Sequence, residues 1–336
     1  MPSRTRQVEL DKSAGLIRRV LHYAFYDWTR EMPRAKRVIA WVGYLLQGYA
    51  VYALWTRSLV WPRTGPKGIL FYAIVALLYA IGAGLMNWML TSEFARKTQL
   101  EADQIAARQI QQTLQPKTLD KLPGYEVETY YEPFRDVGGD YFDVIELAGN
   151  RTLFALADVS GKGMAAALLA ANIQALVRSI ANVEADPLAL ARQINKHLCR
   201  YTPNNRFATA VFLVLSRGSG ELTYVNAGHN APIVFGSGTT MLEPSGMPLG
   251  LFAKAEYEAR TAFLCPGGTL LVFTDGLTDS ISGKNPESRL LEALAGTPGR
   301  TMSNLKSLVD PKLNEDDVTI LLVKREVEAA SSGKLA

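Results

Sequence analysis

Two long apolar runs open the hydrophobic pattern of the chain. Residues 38 to 55, VIAWVGYLLQGYAVYALW, contain one strongly polar side chain, and so do residues 68 to 90, GILFYAIVALLYAIGAGLMNWML. Each run has the length that a helix needs to cross about 30 Å of hydrocarbon. The short, turn-rich stretch between them predicts a transmembrane helical hairpin. Two buried helices of a soluble protein are the alternative interpretation.

Positive charges around the runs predict the orientation of this hairpin. Lys and Arg residues near the outer ends of the two runs outnumber those between the runs by nine to three. Cytoplasmic flanks carry such an excess, so both ends are expected inside, with the hairpin as a multi-pass anchor in the inner (plasma) membrane. The net charge of +4 arises mainly near the start of the chain. A nucleic-acid partner is therefore not expected.

A polar helix is predicted directly after the second run. Residues 91 to 115 contain no Gly or Pro, and Pro116 supplies a stop. Apolar residues recur at three- and four-residue spacing, at Leu100, Ala107, Ile110 and Leu114. The stripe fits a surface helix packed on its own domain, and it equally fits a short parallel coiled coil that forms a homodimer. The pattern leaves both interpretations open.

From Gly124 onward the pattern changes to the period of β-strands. Helical stretches at about 162–182, 187–199 and 287–310 interrupt the strand-like segments. Tight turns between consecutive segments indicate antiparallel hairpins. The predicted fold class is α+β, an antiparallel β-sandwich flanked by helices. The eight predicted strands are YEVETYYEP, DYFDVIEL, RTLFALADV, FATAVFLVLS, ELTYVNAG, APIVFG, GGTLLVFTDG and DVTILLVK.

Carboxylates share one local pattern at the ends of these strands. An apolar strand adjoins an Asp with Gly or a second Asp beside it, in VGGD (Asp140), FALADVSG (Asp158), LVFTDG (Asp275) and NEDDVTILLV (Asp316). Two ionised carboxylates 5 Å apart repel by roughly 3 kcal/mol at an effective dielectric near 20. Mg²⁺ and Mn²⁺ prefer oxygen ligands and would balance such charges. Each Asp taken alone also fits a turn or helix-capping role.

Other chemistries fit the sequence less well. The two cysteines lie far apart, and three histidines are too few for a His-rich zinc site. Gly161, Gly163 and Ala166, with Glu184 further on, imitate a dinucleotide-binding fingerprint. The strands that follow are joined as hairpins, whereas a dinucleotide fold needs parallel crossovers.

Several stretches resemble the PPM-type (type 2C) serine/threonine phosphatases, in the bacterial RsbU/SpoIIE-like branch. The resemblance extends over about residues 101–325 and is carried by DVGGDYFDV, ALADVSGKGMAAALLAA, VNAGHNAP, MPLGLF, LVFTDGLTDS and DDVTILLV. It implies two Mn²⁺ or Mg²⁺ ions and direct attack on phosphorus by a hydroxide that bridges them. It also implies a phosphorylated anti-sigma-factor antagonist as substrate, and activation through a dimerised lead-in helix.

The resemblance also implies roles for single residues. Asp158 matches the aspartate that bridges the metals, with the main-chain carbonyl of Val159 as a further ligand, and Asp140 matches the carboxylate of the second metal. Asp275 and Asp316 match ligands of the other metal. Arg135 occupies the place of a phosphate-binding arginine, although a surface arginine fits equally. Asp143, Asp279 and Asp317 are weaker candidates, and His229 matches a motif without a derived role.

The predicted organisation has five parts. They are a cytoplasmic N-terminal segment (1–37), the hairpin (38–90, with helices at about 38–58 and 68–90), the linker helix (91–116), the phosphatase domain (117–325) and a disordered tail (326–336). The predicted function is a membrane-anchored, metal-dependent protein phosphatase with a cytoplasmic catalytic domain. The alternative is a catalytically silent, membrane-tethered module that binds a phosphoprotein.

Overall fold

A computed structural model describes residues 33–58, 66–116, 122–183, 186–203, 205–282, 285–296 and 299–327. Most of the predicted N-terminal segment, part of the loop between the two apolar runs, Glu184 and most of the predicted tail lie outside these residues. The chain divides into two compact units after Ala102.

The described residues of the first unit belong almost entirely to two helices. Helix α1 spans Arg34–Ser58. Helix α2 spans Pro66–Leu114 and begins in the first unit. The backbones of the two helices approach each other closely at Gly43 and Gly82. A Cβ added at Gly82 would lie only 2.8 Å from the carbonyl oxygen of Gly43. Lys36 Nζ lies 2.7 Å from Glu93 Oε1 and forms an ion pair between the helices.

Both helices are long and apolar enough to cross a membrane. Most of their large apolar side chains are exposed, among them Leu45, Trp55, Ile69, Leu77 and Trp88. A helix buried in a soluble core would cover these side chains, so the exposure argues against the alternative of two buried helices. Length and composition also admit the later helix Met164–Ala181. That helix packs its inner face in a core, which explains its apolar residues without a membrane.

Helix α2 is continuous from the second apolar run to the end of the predicted linker. It has 49 residues and crosses the division between the two units. The side chains of Leu100, Ile105 and Ile110 are exposed along it. The second unit therefore begins within this helix, whereas the sequence placed a domain boundary after residue 116. The predicted domain boundaries remain predictions.

The described residues of the second unit include ten strands, which form two antiparallel sheets. The strands are β1 Tyr125–Glu132, β2 Asp140–Leu147, β3 Arg151–Val159, β4 Ala208–Ser216, β5 Glu221–Ala227, β6 Ile233–Phe235, β7 Thr239–Met241, β8 Arg260–Phe263, β9 Thr269–Phe273 and β10 Val318–Arg325. One sheet has the order β1-β10-β9-β6-β7 and the other β2-β3-β4-β5-β8. The structure confirms the predicted fold class, and it adds the short strands β7 and β8.

The side chains of β3 show how the layers form. Leu153, Ala155 and Ala157 pack in a core against helices, whereas Phe154 and Leu156 alternate with them and pack against the other sheet. A third core joins the first sheet to the last helices. The order of layers is helix, sheet, sheet, helix. The helices are α3 Met164–Ala181, α4 Pro187–Tyr201, α5 Asp275–Asp279, α6 Pro286–Ala295 and α7 Thr301–Leu308.

Candidate metal centre at the strand ends

Four strand ends bring the predicted aspartates to one edge of the sandwich. Asp140, the first residue of β2, is the cross-strand partner of Asp158 near the end of β3. Asp275 follows β9 closely, and Asp316 precedes β10. Because β9 and β10 pair antiparallel, the end of β9 lies beside the start of β10. Each sheet therefore contributes acidic residues from adjacent strand ends.

Hydroxyl groups of one sheet hold the carboxylate of the other. Asp140 Oδ2 accepts hydrogen bonds from Thr274 Oγ1 at 2.9 Å and from Thr319 Oγ1 at 2.5 Å. The Thr319 N–H donates to Thr274 Oγ1 at 3.0 Å. Asp140 is buried with only 6% of its surface exposed. These bonds fix its carboxylate and satisfy part of its need for donors.

The side chain of Asp317 is held by backbone N–H groups. Its two carboxylate oxygens accept the N–H groups of Phe134 at 2.8 Å and Gly139 at 2.5 Å. The missing side chain of Gly139 also leaves the Val159 carbonyl open, since an added Cβ would lie 3.2 Å from that oxygen. At Gly276 an added Cβ would lie 2.1 Å from the Asp317 carbonyl oxygen. The backbone at Gly276 therefore leaves no room for a side chain, whereas a side chain at Gly139 would require its neighbours to shift slightly.

The carboxylates raise one another's pKa. Burial, followed by the charges of Asp158 and Asp317, raises the pKa of Asp140 well above its usual range. Burial and the charges of Asp275, Asp316 and Asp317 raise the pKa of Asp158 to about 7. The pKa of Asp275 is also raised, first by burial and then by Asp316. The four predicted residues therefore lie close enough to repel one another.

One lysine balances part of this charge. Lys162 Nζ lies 3.0 Å from Asp316 Oδ2 and also donates to the carbonyl of Glu315. The lysine lies between Gly161 and Gly163, whose φ angles of 97° and 77° favour glycine. Sequence reasoning did not assign Lys162. The signal was present, because the Ser-Gly-Lys-Gly turn follows Asp158 so closely.

His229 connects the two sheets behind the carboxylates. Its Nδ1 lies 2.8 Å from Thr209 Oγ1, and its Nε2 lies 3.1 Å from the carbonyl oxygen of Phe273. Thr209 is the cross-strand partner of Asp158. Burial lowers the pKa of His229 to about 4, so the ring is neutral near pH 7. Nε2–H therefore donates to the carbonyl and Nδ1 accepts from the threonine hydroxyl.

Three of the weaker candidates have other surroundings than the four aspartates. Asp143 is buried and its carboxylate pairs with Arg178 Nε at 2.6 Å, which ties β2 to α3. Asp279 is exposed and adds negative charge near Asp275. Arg135 is exposed, with its guanidinium carbon 6.0 Å from the centre of the Phe134 ring. Its predicted contact with phosphate remains a prediction.

The donor set fits a hard divalent cation. Within the described part of the chain, no three Asp, Glu, His or Cys side chains are spaced to hold one ion together. Mg²⁺ does not need three, because it usually keeps several waters and takes only one or two protein carboxylates. The repelling carboxylates and the open Val159 carbonyl supply oxygen ligands alone, which are those that Mg²⁺ and Mn²⁺ prefer.

Comparison with known proteins identifies the family. The model of the family described as Stage II sporulation protein E (SpoIIE) matches residues 148–326. The chain belongs to this family. The match starts within the second unit and covers the strand ends of Asp158, Asp275 and Asp316. The predicted RsbU/SpoIIE-like resemblance is thus confirmed.

Curated relatives and solved structures agree with this assignment. Phosphoserine phosphatase RsbP of Bacillus subtilis is 24% identical over 55% of this chain and 46% of its own. Phosphoserine phosphatase RsbU of the same organism is 24% identical over 66% of this chain and 69% of its own. Protein IcfG of Synechocystis sp. is 25% identical over 65% of this chain and 40% of its own. The chain thus spans less than half the length of RsbP and IcfG.

Two solved structures share the fold. The SiaA-PP2C domain of Pseudomonas aeruginosa has a TM-score of 0.58 at 21% identity, covering 68% of this chain and 98% of the domain. RsbX in complex with magnesium has a TM-score of 0.50 at 23% identity, covering 61% of this chain and 97% of RsbX. At these identities the likeness concerns the fold.

Proposed function

We propose that this protein is a metal-dependent phosphatase of phosphoserine and phosphothreonine in proteins. The proposal rests on the cluster of partly buried, mutually repelling carboxylates at the strand ends, which has one lysine beside it. Buried carboxylates that raise one another's pKa are costly for a purely structural edge, and such groups concentrate at functional sites. The names of RsbP and RsbU as phosphoserine phosphatases support the same reaction class.

Asp140, Asp158, Asp275 and Asp316, with the carbonyl of Val159, would hold two Mn²⁺ or Mg²⁺ ions. Such ions would polarise a phosphoryl group and lower the pKa of water, which would let water serve directly as the nucleophile at phosphorus, with the serine or threonine hydroxyl as the leaving group and without a phosphoenzyme. The structure of RsbX contains magnesium, which supports the choice of metal.

The chain's own residues prepare the site. Thr274 and Thr319 fix the carboxylate of Asp140 before any substrate arrives. His229 holds the ends of β4 and β9 together, which positions Asp158 and Asp275. Such preorganisation makes electrostatic stabilisation effective, because the dipoles need not reorganise during the reaction. Arg135, close to the cluster in sequence, is the proposed contact for a phosphoryl oxygen.

The proposal includes a membrane anchor and a signalling partner. Helices α1 and α2 expose apolar side chains over lengths that cross a bilayer, with the catalytic unit on the cytoplasmic side. The apolar stripe of α2, in which Leu100, Ile110 and Leu114 are exposed, suits a coiled coil between two copies. Resemblance to the RsbU/SpoIIE-like branch supports a phosphorylated anti-sigma-factor antagonist as substrate in partner-switching signalling.

A phosphate-release assay tests the reaction class. Full-length protein in detergent with Mn²⁺ should release phosphate from a phosphoserine peptide, and Asp275→Asn should lose this activity. Asp310→Asn is the matched control, since Asp310 lies outside the cluster and accepts the Lys312 N–H at 2.9 Å. If wild-type protein and Asp275→Asn release phosphate equally, or neither does, the enzyme assignment is wrong. The second outcome would favour a silent phosphoprotein-binding module.

A further inference from the structure

Lys162 is the one basic side chain that forms a salt bridge to the acidic cluster in the described part of the chain. Its ammonium has three neighbours, namely the Asp316 carboxylate, the Glu315 carbonyl and the face of Phe134, with Nζ 5.2 Å from the ring centre. All three attract a cation. The side chains of Lys162 and Asp316 are each 37% exposed, so the pair can separate without opening the core.

The backbone around Lys162 is held firmly. Gly161 lies against Arg206, because an added Cβ would come within 1.9 Å of Arg206 Nη1. Arg206 Nη1 donates to the Ser160 carbonyl at 2.8 Å, and Ser160 Oγ accepts the Phe207 N–H at 3.0 Å. The turn therefore presents the lysine at a fixed distance from the strand ends. Only its flexible side chain needs to move for the ammonium to leave Asp316.

Contrast with Asp140 shows why this lysine concerns only one part of the cluster. Asp140 is buried and bonded to two threonine hydroxyls, which are neutral donors. Asp316 instead has a full positive charge beside it. A divalent cation that binds Asp316 must displace the ammonium or share the carboxylate with it, and two cations so close would repel.

We propose that Lys162 is an exchangeable counter-ion. Its ammonium pairs with the Asp316 carboxylate and moves away when a divalent cation binds that carboxylate. The inference rests on the proposed metal centre and goes beyond it. Lys162 thereby sets the affinity of the Asp316 side for metal, and it prevents an uncompensated charge when no metal is bound. Once displaced, the ammonium remains tethered at the rim by the same turn.

Mn²⁺ titration of the full-length protein in detergent tests the exchange, by calorimetry and by loss of the free-ion paramagnetic resonance signal. Lys162→Gln removes the charge and should tighten the weaker Mn²⁺ site roughly two- to fivefold, the range expected for a half-exposed ion pair. Lys162→Arg keeps the charge and should bind Mn²⁺ like the wild type. Lys196→Gln, on an exposed position of α4, is the control for net charge.

Two results would overturn the exchange. One is an unchanged or weaker Mn²⁺ affinity in Lys162→Gln, and the other is equal tightening in Lys196→Gln. Phosphate release is measured on the same samples to separate the two proposals. Absence of activity in the wild type would reject the phosphatase assignment, whereas the Mn²⁺ affinities would still decide the role of Lys162.

Discussion

The two sides of the acidic cluster are built differently. On the buried side, Asp140 and Asp317 accept hydrogen bonds from threonine hydroxyls and backbone N–H groups. On the open side, Asp275 and Asp316 are partly exposed, and Asp316 has a lysine as its partner. Neutral donors in a core are fixed, whereas an exposed ion pair can exchange. The difference indicates one preformed ligand group and one adjustable ligand group.

Asp158 lies between the two sides, so its substitution should have the largest effect. Asp158→Asn removes the charge that acts on both Asp140 and the open side. We expect phosphate release to fall at least about 1,000-fold, since electrostatic groups of this kind dominate such rates. The metal-free protein should become more stable, because one repelling charge is gone. Thermal unfolding in a chelator measures this second effect, and a lower melting temperature would contradict the repulsion.

Substitution of His229 tests whether a neutral histidine ring holds the buried side of the site together. Its pKa of about 4 lies below the ordinary value of 6.5, so the unfolded chain takes up a proton first as the pH falls. This contribution to stability is present above pH 6.5 and is lost between pH 6.5 and pH 4. It amounts to something on the order of 3 kcal/mol.

Denaturant unfolding across this pH range, compared between wild type and His229→Gln, isolates the effect. Asp158 acts in the opposite direction, because its raised pKa makes the unfolded chain ionise first and lowers stability from pH 4 to 7. The contribution of Asp158 is present in both proteins and cancels in the difference. Parallel curves for the two proteins would show that His229 is not held neutral.

Thr319 provides a smaller test of the same side. Thr319→Val leaves Asp140 without one of its donors and removes a buried hydroxyl. We expect a loss of roughly 1–3 kcal/mol in the free energy of unfolding. Thr319→Ser retains the hydroxyl and should recover much of the loss. Equal destabilisation by both substitutions would assign the effect to packing.

The open side should respond least in stability. Asp316→Asn breaks a half-exposed ion pair but also removes a charge that repels Asp158 and Asp275. Because these two effects oppose each other, we expect a change of less than about 1 kcal/mol in the free energy of unfolding, decreasing further with added salt. Metal binding should nevertheless weaken, because a proposed ligand is lost. Urea unfolding at two salt concentrations gives the stability term. A large, salt-independent loss would mean that Asp316 belongs to the fixed side.

Local patterns predicted most of the fold. Alternating apolar positions predicted eight of the ten strands in the described part of the chain. The two that were missed, Thr239–Met241 and Arg260–Phe263, have only three and four residues and expose most of their side chains. Helix α2 extends through the predicted end of the membrane segment because neither Gly nor Pro interrupts residues 91 to 115. No local feature of the sequence marks the position along this helix at which the first unit ends and the second begins.

The partners within the site could not be predicted in the same way. Asp140 accepts hydrogen bonds from Thr274 and Thr319, which lie 134 and 179 positions further along the chain. These contacts depend on the register of four strands. Asp143 illustrates the problem, since it lies only three residues after Asp140 on the same strand, but its carboxylate pairs with Arg178 on α3. The strand-end aspartates were identifiable because an Asp with Gly or a second Asp close by is unusual at the end of an apolar run. The Ser-Gly-Lys-Gly turn drew attention to Lys162, but the partners of Lys162 and His229 needed the fold.

The stoichiometry of Mn²⁺ binding tests the central claim most directly. The full-length protein in detergent, first stripped with a chelator, should bind two Mn²⁺ per chain with an affinity that rises with pH toward 7 as the Asp158 carboxyl ionises. Asp158→Asn should lose both sites or retain one weak site. No bound Mn²⁺ in the wild type, or identical binding in Asp158→Asn, would contradict a metal centre at these strand ends.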